Sequence, residues 1–250
     1  MRSLAAAELL SLWERGLTEP PYRKALLLLT AACTEAETDH LATLSIGQRD
    51  GLLLELRERT FGREIAALVN CPTCSEKLEL NFAVADLRQH CLTGASEQAG
   101  INVKVGAYTA QFRLPNSHDL NEIAASFTGN NPDTVRSALL ERCVVTMKKK
   151  GKACAFAALP ENLQAQAVQR IAEVDSQANV ELALDCPACQ HSWLSVFDIV
   201  SFLWQELEAR AKQLLREIHL LASTYHWSET EILQLSQPRR QLYLRMVLNG

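Results

Sequence analysis

Apolar positions in the first 69 residues recur at helical spacing. Leu4, Leu9, Leu10, Leu12 and Trp13 mark a short amphipathic helix. Glu19-Pro20-Pro21 ends it, because proline cannot continue a helix and constrains the residue before it. Tyr22 to Ala32 suits a second helix with an almost wholly apolar face. Ser45-Ile46-Gly47-Gln48 has the form of a capping box, with Ser45 as N-cap and Gln48 reaching back. The helix it opens carries Leu52, Leu53 and Leu56, then Ile65 and Leu68, and Gly62 is expected to divide it into two helical pieces. At Asn70 the period changes to two. Lys77 to Phe82 alternates, as do Ile101 to Val105 and Ala110 to Leu114, and Gly106 between the last two predicts a hairpin.

Helical spacing returns after Pro115. Asp119 is expected to cap a short helix through Ile123 and Phe127. Asn130-Asn131-Pro132-Asp133 reads as a turn and helix start, followed by Val135, Leu139, Leu140, Cys143 and Val144 on one face. Lys148-Lys149-Lys150-Gly151-Lys152 is expected to be a solvated basic loop between helices, and Pro160-Glu161 opens a helix through Val168 and Ile171. Val180 to Leu184 alternates again. From Ile199 through Leu203, Leu207, Ala211, Leu214, Ile218 and Leu221 one apolar stripe predicts a helix of roughly 30 residues, about 45 Å long at 1.5 Å per residue. Ser228 to Glu231 forms a second capping box. Gln237-Pro238-Arg239-Arg240 opens the last helix, with Leu242, Met246 and Val247 on one face.

Composition narrows the class. The 250 residues are 48% hydrophobic and 22% charged, ordinary for a folded chain and wrong for a disordered one. At about 150 residues per domain this is one large domain or two small ones. Lys and Arg number 25 against 29 Asp and Glu, a net charge of −4, so a general polyanion binder is not expected, although one small basic face is compatible. The longest apolar stretch, Ala25 to Cys33, is about half of the roughly 20 residues that span a bilayer. Glu8 and Glu14 interrupt the N-terminal apolar residues, which argues against a secretory signal. Synthesis and assembly in the cytoplasm, where thiols stay reduced, are therefore expected.

That context makes the eight cysteines metal ligands or buried thiols rather than disulfides. Cys71-Pro72-Thr73-Cys74 and Cys186-Pro187-Ala188-Cys189 are two C-P-x-C knuckles, each with strand-like sequence beside it. A tight turn brings two thiolates to one ion, and four thiolates suit tetrahedral zinc at about 2.3 Å. The expectation is one structural Zn2+ in a split zinc ribbon, with residues 75–185 inserted between its halves. Redox C-x-x-C pairs, inert cysteines and a site that has lost its metal are the alternatives; redox pairs usually open a helix, whereas strand follows Cys74. Four cysteines close the shell, which excludes a catalytic zinc. His191, two residues past Cys189, is read as a surface or supporting group rather than a substitute ligand. Cys33, Cys91, Cys143 and Cys154 are unpaired in sequence, and Cys33 and Cys143, on apolar helix faces, are read as small buried hydrophobes. No Ser/His/Asp order, glycine-rich phosphate loop or HExxH motif is present, and no catalytic residue is assigned.

Several stretches taken in order carry a resemblance. They are Leu54 to Gly62, the two knuckles, Phe112-Arg113-Leu114-Pro115 with Asp119-Leu120, Leu139 to Cys143, Trp193, Phe197 to Ile199 with Phe202-Leu203-Trp204, Tyr225 to Glu229, and Arg239 to Leu244. Over roughly residues 45–250 the chain resembles the baseplate hub assembly proteins of T-even-like contractile-tailed phages, whose relatives occur with phage-tail-like contractile injection systems. The resemblance implies a non-enzymatic baseplate component, or a chaperone of baseplate-hub assembly, whose partners are other baseplate or hub proteins rather than a small-molecule substrate, nucleic acid or membrane. It leaves open retention in the finished particle. Tyr225, Trp227, Arg239, Arg240 and Tyr243 are residue types enriched at interface hot spots and form the candidate partner surface, set against an ordinary helical hairpin closing the fold. The long-helix stripe either docks a partner helix or packs on the protein's own core. A zinc-ribbon nucleic-acid adaptor using Lys148 to Lys152 is the alternative function, and an enzyme with a diffuse site is a third.

The expected fold is α+β and mainly α: an N-terminal helical region (1–69), a first ribbon half (70–100), an inserted hairpin with helices (101–179), a second ribbon half (180–197) and C-terminal helices (198–250).

Overall fold

The computed structural model describes residues 1–33, 38–88, 100–126 and 131–249. Helix makes up 59% of the described residues, so the fold is mixed but mainly α. The N-terminal helices are α1 (Ala6–Gly16), α2 (Pro21–Ala32), α3 (Thr38–Thr43) and α4 (Ile46–Phe61). Pro21 occupies the first turn of α2, where its missing N–H costs nothing. The capping box at α4 is formed: the Gln48 amide donates to Ser45 Oγ at 3.1 Å, and Ser45 N–H donates to Gln48 Oε1 at 2.9 Å.

After α4 the chain departs from expectation. Gly62 adopts φ +98°, and Glu64–Asn70 is strand β1 rather than a second helical piece. Ile65 and Leu68 suggest helical spacing, but Ile65, Ala67 and Val69 form the period that counts. They share one face of a ladder with β2 (Lys77–Ala83), Ile65 opposite Phe82, while Leu68 points out and is 72% exposed. A short helix α5 (Val84–Leu87) follows.

The next segment builds a sheet. Strands β3 (Ile101–Val105) and β4 (Tyr108–Phe112) form the expected hairpin, and helices α6 (Ser117–Ser126) and α7 (Pro132–Arg142) come next. Val144 begins strand β5 (Val144–Lys149) instead of extending α7. Strand β6 (Lys152–Ala153) pairs with β5, giving the order β3-β4-β5-β6. The basic run is thus a β-hairpin, with Lys150 and Gly151 at positive φ in its turn, and not a loop between helices. Phe127 and Asn130 lie outside the described residues. Helix α8 (Glu161–Val174) packs on this sheet, and Val103, Ala110, Phe112, Leu140, Phe156 and Leu163 form a core separate from the main one.

The main core surrounds the long helix α9 (Ile199–Tyr225), which strands β7 (Val180–Asp185) and β8 (Ser192–Phe197) precede and helices α10 (Glu229–Gln234) and α11 (Gln237–Asn249) follow. Leu203, Leu207, Ala211, Leu214 and Leu221 of α9 are fully buried against α1, α2, α4, α10 and α11. Its stripe therefore belongs to the protein's own core and is not available to a partner helix. Gly16 permits the closest approach, since a Cβ there would lie 2.1 Å from the Trp204 ring.

The two cores join where the inserted segment enters and leaves. Ile46 N–H donates to the Pro115 carbonyl at 3.1 Å, and Ser45 bridges Asn116. From the returning chain, buried Asp175 accepts from Ser45 Oγ (2.8 Å) and Gly47 N–H (3.0 Å). Burial nevertheless keeps the Asp175 pKa above the ordinary carboxylate value. Gly47 is required at this junction, because a Cβ would fall 2.3 Å from Asp175 Oδ1 and 2.9 Å from the Ala178 amide. Gly47→Ala is expected to cost about 2 kcal/mol through overpacking and to lower the melting temperature by about 6 °C. An unchanged melt would refute this account of the junction.

Asp119 organises the sheet-side helices. It is not the cap of α6 but its third residue. Asn116 caps, with Asp119 N–H donating to Asn116 Oδ1 (3.2 Å) and Asn116 N–H donating to Asp119 Oδ2 (3.0 Å). The buried carboxylate also accepts two bonds from Arg113, at 2.6 and 2.7 Å, and one from Arg142 at 3.3 Å. Burial alone raises its pKa, but Arg113, the Asn116 amide and Arg142 outweigh it and hold the pKa below the usual range. A depressed folded pKa contributes stability that is complete above the unfolded value near 4 and is lost as pH falls through the folded one. Asp119→Ala is expected to cost about 2 kcal/mol at pH 7. In urea titrations at pH 7, 5 and 3 the gap from wild type should narrow only at the lowest pH; a constant gap would show that the carboxylate charge is irrelevant.

Candidate metal centre

Hairpins β1–β2 and β7–β8 are separate two-stranded antiparallel sheets. Their inner faces carry the apolar residues: Ile65, Ala67 and Phe82 on one, Val180, Leu182 and Phe197 on the other. Phe82 meets Phe197 edge to face at 5.9 Å, so the hairpins pack face to face and their tips converge.

Each tip is the same knuckle. Cys71 N–H donates to the Glu76 carbonyl and Cys186 N–H to the His191 carbonyl, both at 2.9 Å. Ser75 N–H donates back to Cys71 O at 2.9 Å, and Gln190 N–H to Cys186 O at 2.8 Å. The reversal after the second cysteine requires a left-handed residue, Ser75 at φ +61° and Gln190 at φ +59°. The first cysteine of each pair, Cys71 or Cys186, is buried; the second, Cys74 or Cys189, is exposed. The pairs cross. Cys71 Sγ lies 3.6 Å from Cys189 Sγ and Cys74 Sγ 3.6 Å from Cys186 Sγ, and all four sulfurs lie within 4.8 Å of one another.

A tetrahedron with metal–sulfur bonds of about 2.3 Å has edges of about 3.8 Å. The cross-hairpin separations match that edge and are far from a disulfide, whose sulfurs sit about 2.05 Å apart. As free thiols Cys71 and Cys74 are pushed in opposite directions. Burial raises Cys71, but the Cys74 and Thr73 amides and the neighbouring thiols bring it down to about 6. The Glu76 amide lowers Cys74, yet its bonds with the other thiols and burial push it up to about 12. Such an arrangement favours a cation that takes the place of the thiol protons.

The remaining candidates separate from this cluster. His191 stacks on Trp193, with centroids 5.8 Å apart and planes 11° from parallel, and its carbonyl serves the knuckle turn. Cys143 is buried, which raises its thiol to about 11; Cys33 and Cys154 are half-buried. Cys91 lies outside the described residues. Among the described residues, the cluster of possible metal-binding side chains is these four cysteines.

A family model described as T4 bacteriophage base plate protein matches residues 9–204. The chain belongs to that family. No curated protein and no solved structure matches it. The baseplate-family match takes in both knuckles, the inserted sheet and the start of α9, and it stops before α10 and α11.

In this baseplate protein the C-terminal candidates divide. Tyr225, Trp227 and Tyr243 are half-buried and pack on each other: Tyr225 stacks on Trp227 at 4.7 Å, and Tyr243 meets Trp227 edge-on at 4.9 Å. Arg239 is exposed, its guanidinium 5.8 Å from the Tyr243 ring centre. Arg240 corrects the sequence expectation. It is 2% exposed and donates to Glu217 of α9 at 2.8 Å and to the Leu235 carbonyl at 3.2 Å, so it ties α11 to the core and presents nothing to a partner. Sequence reasoning missed Glu217. Its signal was a carboxylate inside the apolar stripe, between Leu214 and Leu221.

Proposed function

We propose that the protein is a non-enzymatic component of a baseplate, or a chaperone of baseplate-hub assembly, in a contractile, phage-tail-like injection particle. One structural Zn2+ held by Cys71, Cys74, Cys186 and Cys189 closes a split zinc ribbon and fastens the molecule. The single observation behind this reading is the convergence of four sulfurs from hairpins that the second core separates in the chain. Four thiolates leave no open position for substrate or water, so the ion supplies folding energy rather than Lewis-acid chemistry. The family match supplies the baseplate. In this reading residues 1–62 and 198–250 form the helical body, 64–83 and 180–197 the ribbon halves, with β1 moving the expected boundary at 69 back to 64, and 101–179 the inserted unit. Tyr225, Trp227, Arg239 and Tyr243 lie at its partner-facing end, and assembly takes place in the cytoplasm.

Two measurements test it. Metal analysis of the purified protein should return one zinc per chain, and Co2+ substitution should give the intense visible bands of a tetrahedral thiolate site. Mass spectrometry of intact particles and of their assembly intermediates separates the roles. A component is recovered in both, a chaperone only in the intermediates, and absence from both rejects the baseplate role. Steeply salt-dependent DNA or RNA binding through Lys148 to Lys152 would instead mark a nucleic-acid adaptor.

A further inference from the structure

Two exposed faces of this chain are complementary, and neither is covered by the described residues of one copy. The first is the outer side of α11. Leu242 and Met246, 55% and 62% exposed, lie one turn apart between Arg239 and Arg245. Gln237–Asn249 contains no acidic residue, and neither arginine forms an ion pair among the described residues. The second is the outer side of the β7–β8 hairpin. Leu194 and Val196, 65% and 63% exposed, stand opposite Ala183 and Glu181, and Asp185 stands opposite Ser192. Strands β7 and β8 contain no lysine or arginine, and Glu181 and Asp185 form no ion pair among the described residues. One face is therefore apolar with a cationic border, and the other apolar with an anionic border.

Their dimensions agree. Thirteen helical residues of α11 at 1.5 Å each and six strand residues of β7 at about 3.3 Å each both span about 20 Å. Leu242 and Met246 are about 6 Å apart along the helix, and Leu194 and Val196 about 7 Å apart along the strand. Glu181 and Asp185 sit about 13 Å apart, within reach of two arginines whose backbones are about 9 Å apart and whose side chains are long. Among the described residues two other strand positions of this kind are exposed: Leu68 is a single apolar residue whose face also carries Lys77, and Val145 lies on β5, which ends in Lys148 and Lys149, so each offers α11 less.

We propose that the occupant of the α11 face is a second copy of this chain: α11 of one copy lies across the outer face of β7–β8 of the next. Such a contact joins two different patches. It therefore propagates from copy to copy, and it closes into a ring when the rotation allows. Leu242 and Met246 pack on Leu194 and Val196, while Arg239 and Arg245 pair with Glu181 and Asp185.

The test uses full-length zinc-loaded protein in sedimentation velocity. Wild type should self-associate at about 1–100 µM, and about tenfold more weakly when salt rises from about 0.05 to about 0.5 M. Leu242→Asp and Leu194→Asp should each abolish association. Both positions are exposed, and unchanged melting curves will confirm that both variants fold. Mixing the two variants should restore a dimer, because each retains the face the other lacks. Wild type that stays monomeric across this range, an associating single variant, or a mixture that fails to pair would each overturn the proposal. Monomeric wild type together with loss of Leu242→Asp from particles would assign α11 to a different baseplate protein. None of these results bears on whether the chain occurs in particles, which the mass spectrometry decides separately.

Discussion

Removing one knuckle cysteine should do more damage than any other single substitution in the chain. Cys186→Ser is expected to lower the melting temperature by at least about 15 °C, and a strong chelator should do the same to wild type. The reason is one of scale. Structural zinc in small peptides contributes about 10–16 kcal/mol, and whole domains are stable by only about 5–15 kcal/mol. The inner faces of the hairpins are thin: Ile65 and Val180 are buried, but Leu182, Phe82 and Phe197 are only partly so. Two-stranded hairpins are marginal without further support. Without a shared cation the free thiols, with Cys71 near 6 and Cys74 near 12, hold one another only by weak S–H contacts. Damage should begin at the hairpins and then spread along α9, whose N-terminus follows β8 directly. Hydrogen exchange read by mass spectrometry should show residues 64–83 and 180–197 losing protection first on chelation, with the core of α8 and the β3–β6 sheet losing it last. Equal melting curves with and without chelator would mean that the cysteines hold no stabilising metal.

That expectation rests on a pattern that was legible in the sequence. The two C-P-x-C knuckles required only ligand type and spacing, and the structure brings their sulfurs together across residues 75–185. Both capping boxes were equally readable, since Ser45 with Gln48 and Ser228 with Glu231 are local chemistry. What the chain concealed was period where few residues carry it. In Glu64–Asn70 an alternating set of Ile65, Ala67 and Val69 competes with the i, i+3 pair Ile65 and Leu68, and only pairing with β2 decides for strand. In the same way Val144 continues the helical spacing of α7, and β4 captures it. A sheet partner is not visible from a single segment. The C-terminal end failed differently. Residue type marked Arg240 as a hot spot, but a guanidinium suits a buried ion pair just as well, and only burial separates the two roles. The carboxylate that buries it, Glu217, lies twenty-three positions earlier in the stripe of α9.

That pair carries the second large effect. Glu217 and Arg240 are 4% and 2% exposed, and the carboxylate also accepts from Gln213 (3.0 Å), Gln241 (2.9 Å) and Arg210 (3.5 Å). Each charge is thus desolvated but fully partnered. Glu217→Ala leaves the Arg240 guanidinium buried beside the core with no counter-charge, so it is expected to cost about 4 kcal/mol. For a chain of this length that is a fall of about 12 °C in melting temperature. Arg240→Met should cost less, because Glu217 keeps Arg210 and two amides while the methionine stem refills the channel over Leu235. The double variant Glu217→Leu/Arg240→Met should recover most of the loss, since two apolar groups of similar volume need no partners. A double-mutant cycle measured by urea unfolding therefore should yield a coupling energy of about 2 kcal/mol or more. Additive losses would mean that the pair is incidental to stability, and that α11 is held through Leu244 and the Tyr225–Trp227–Tyr243 cluster alone.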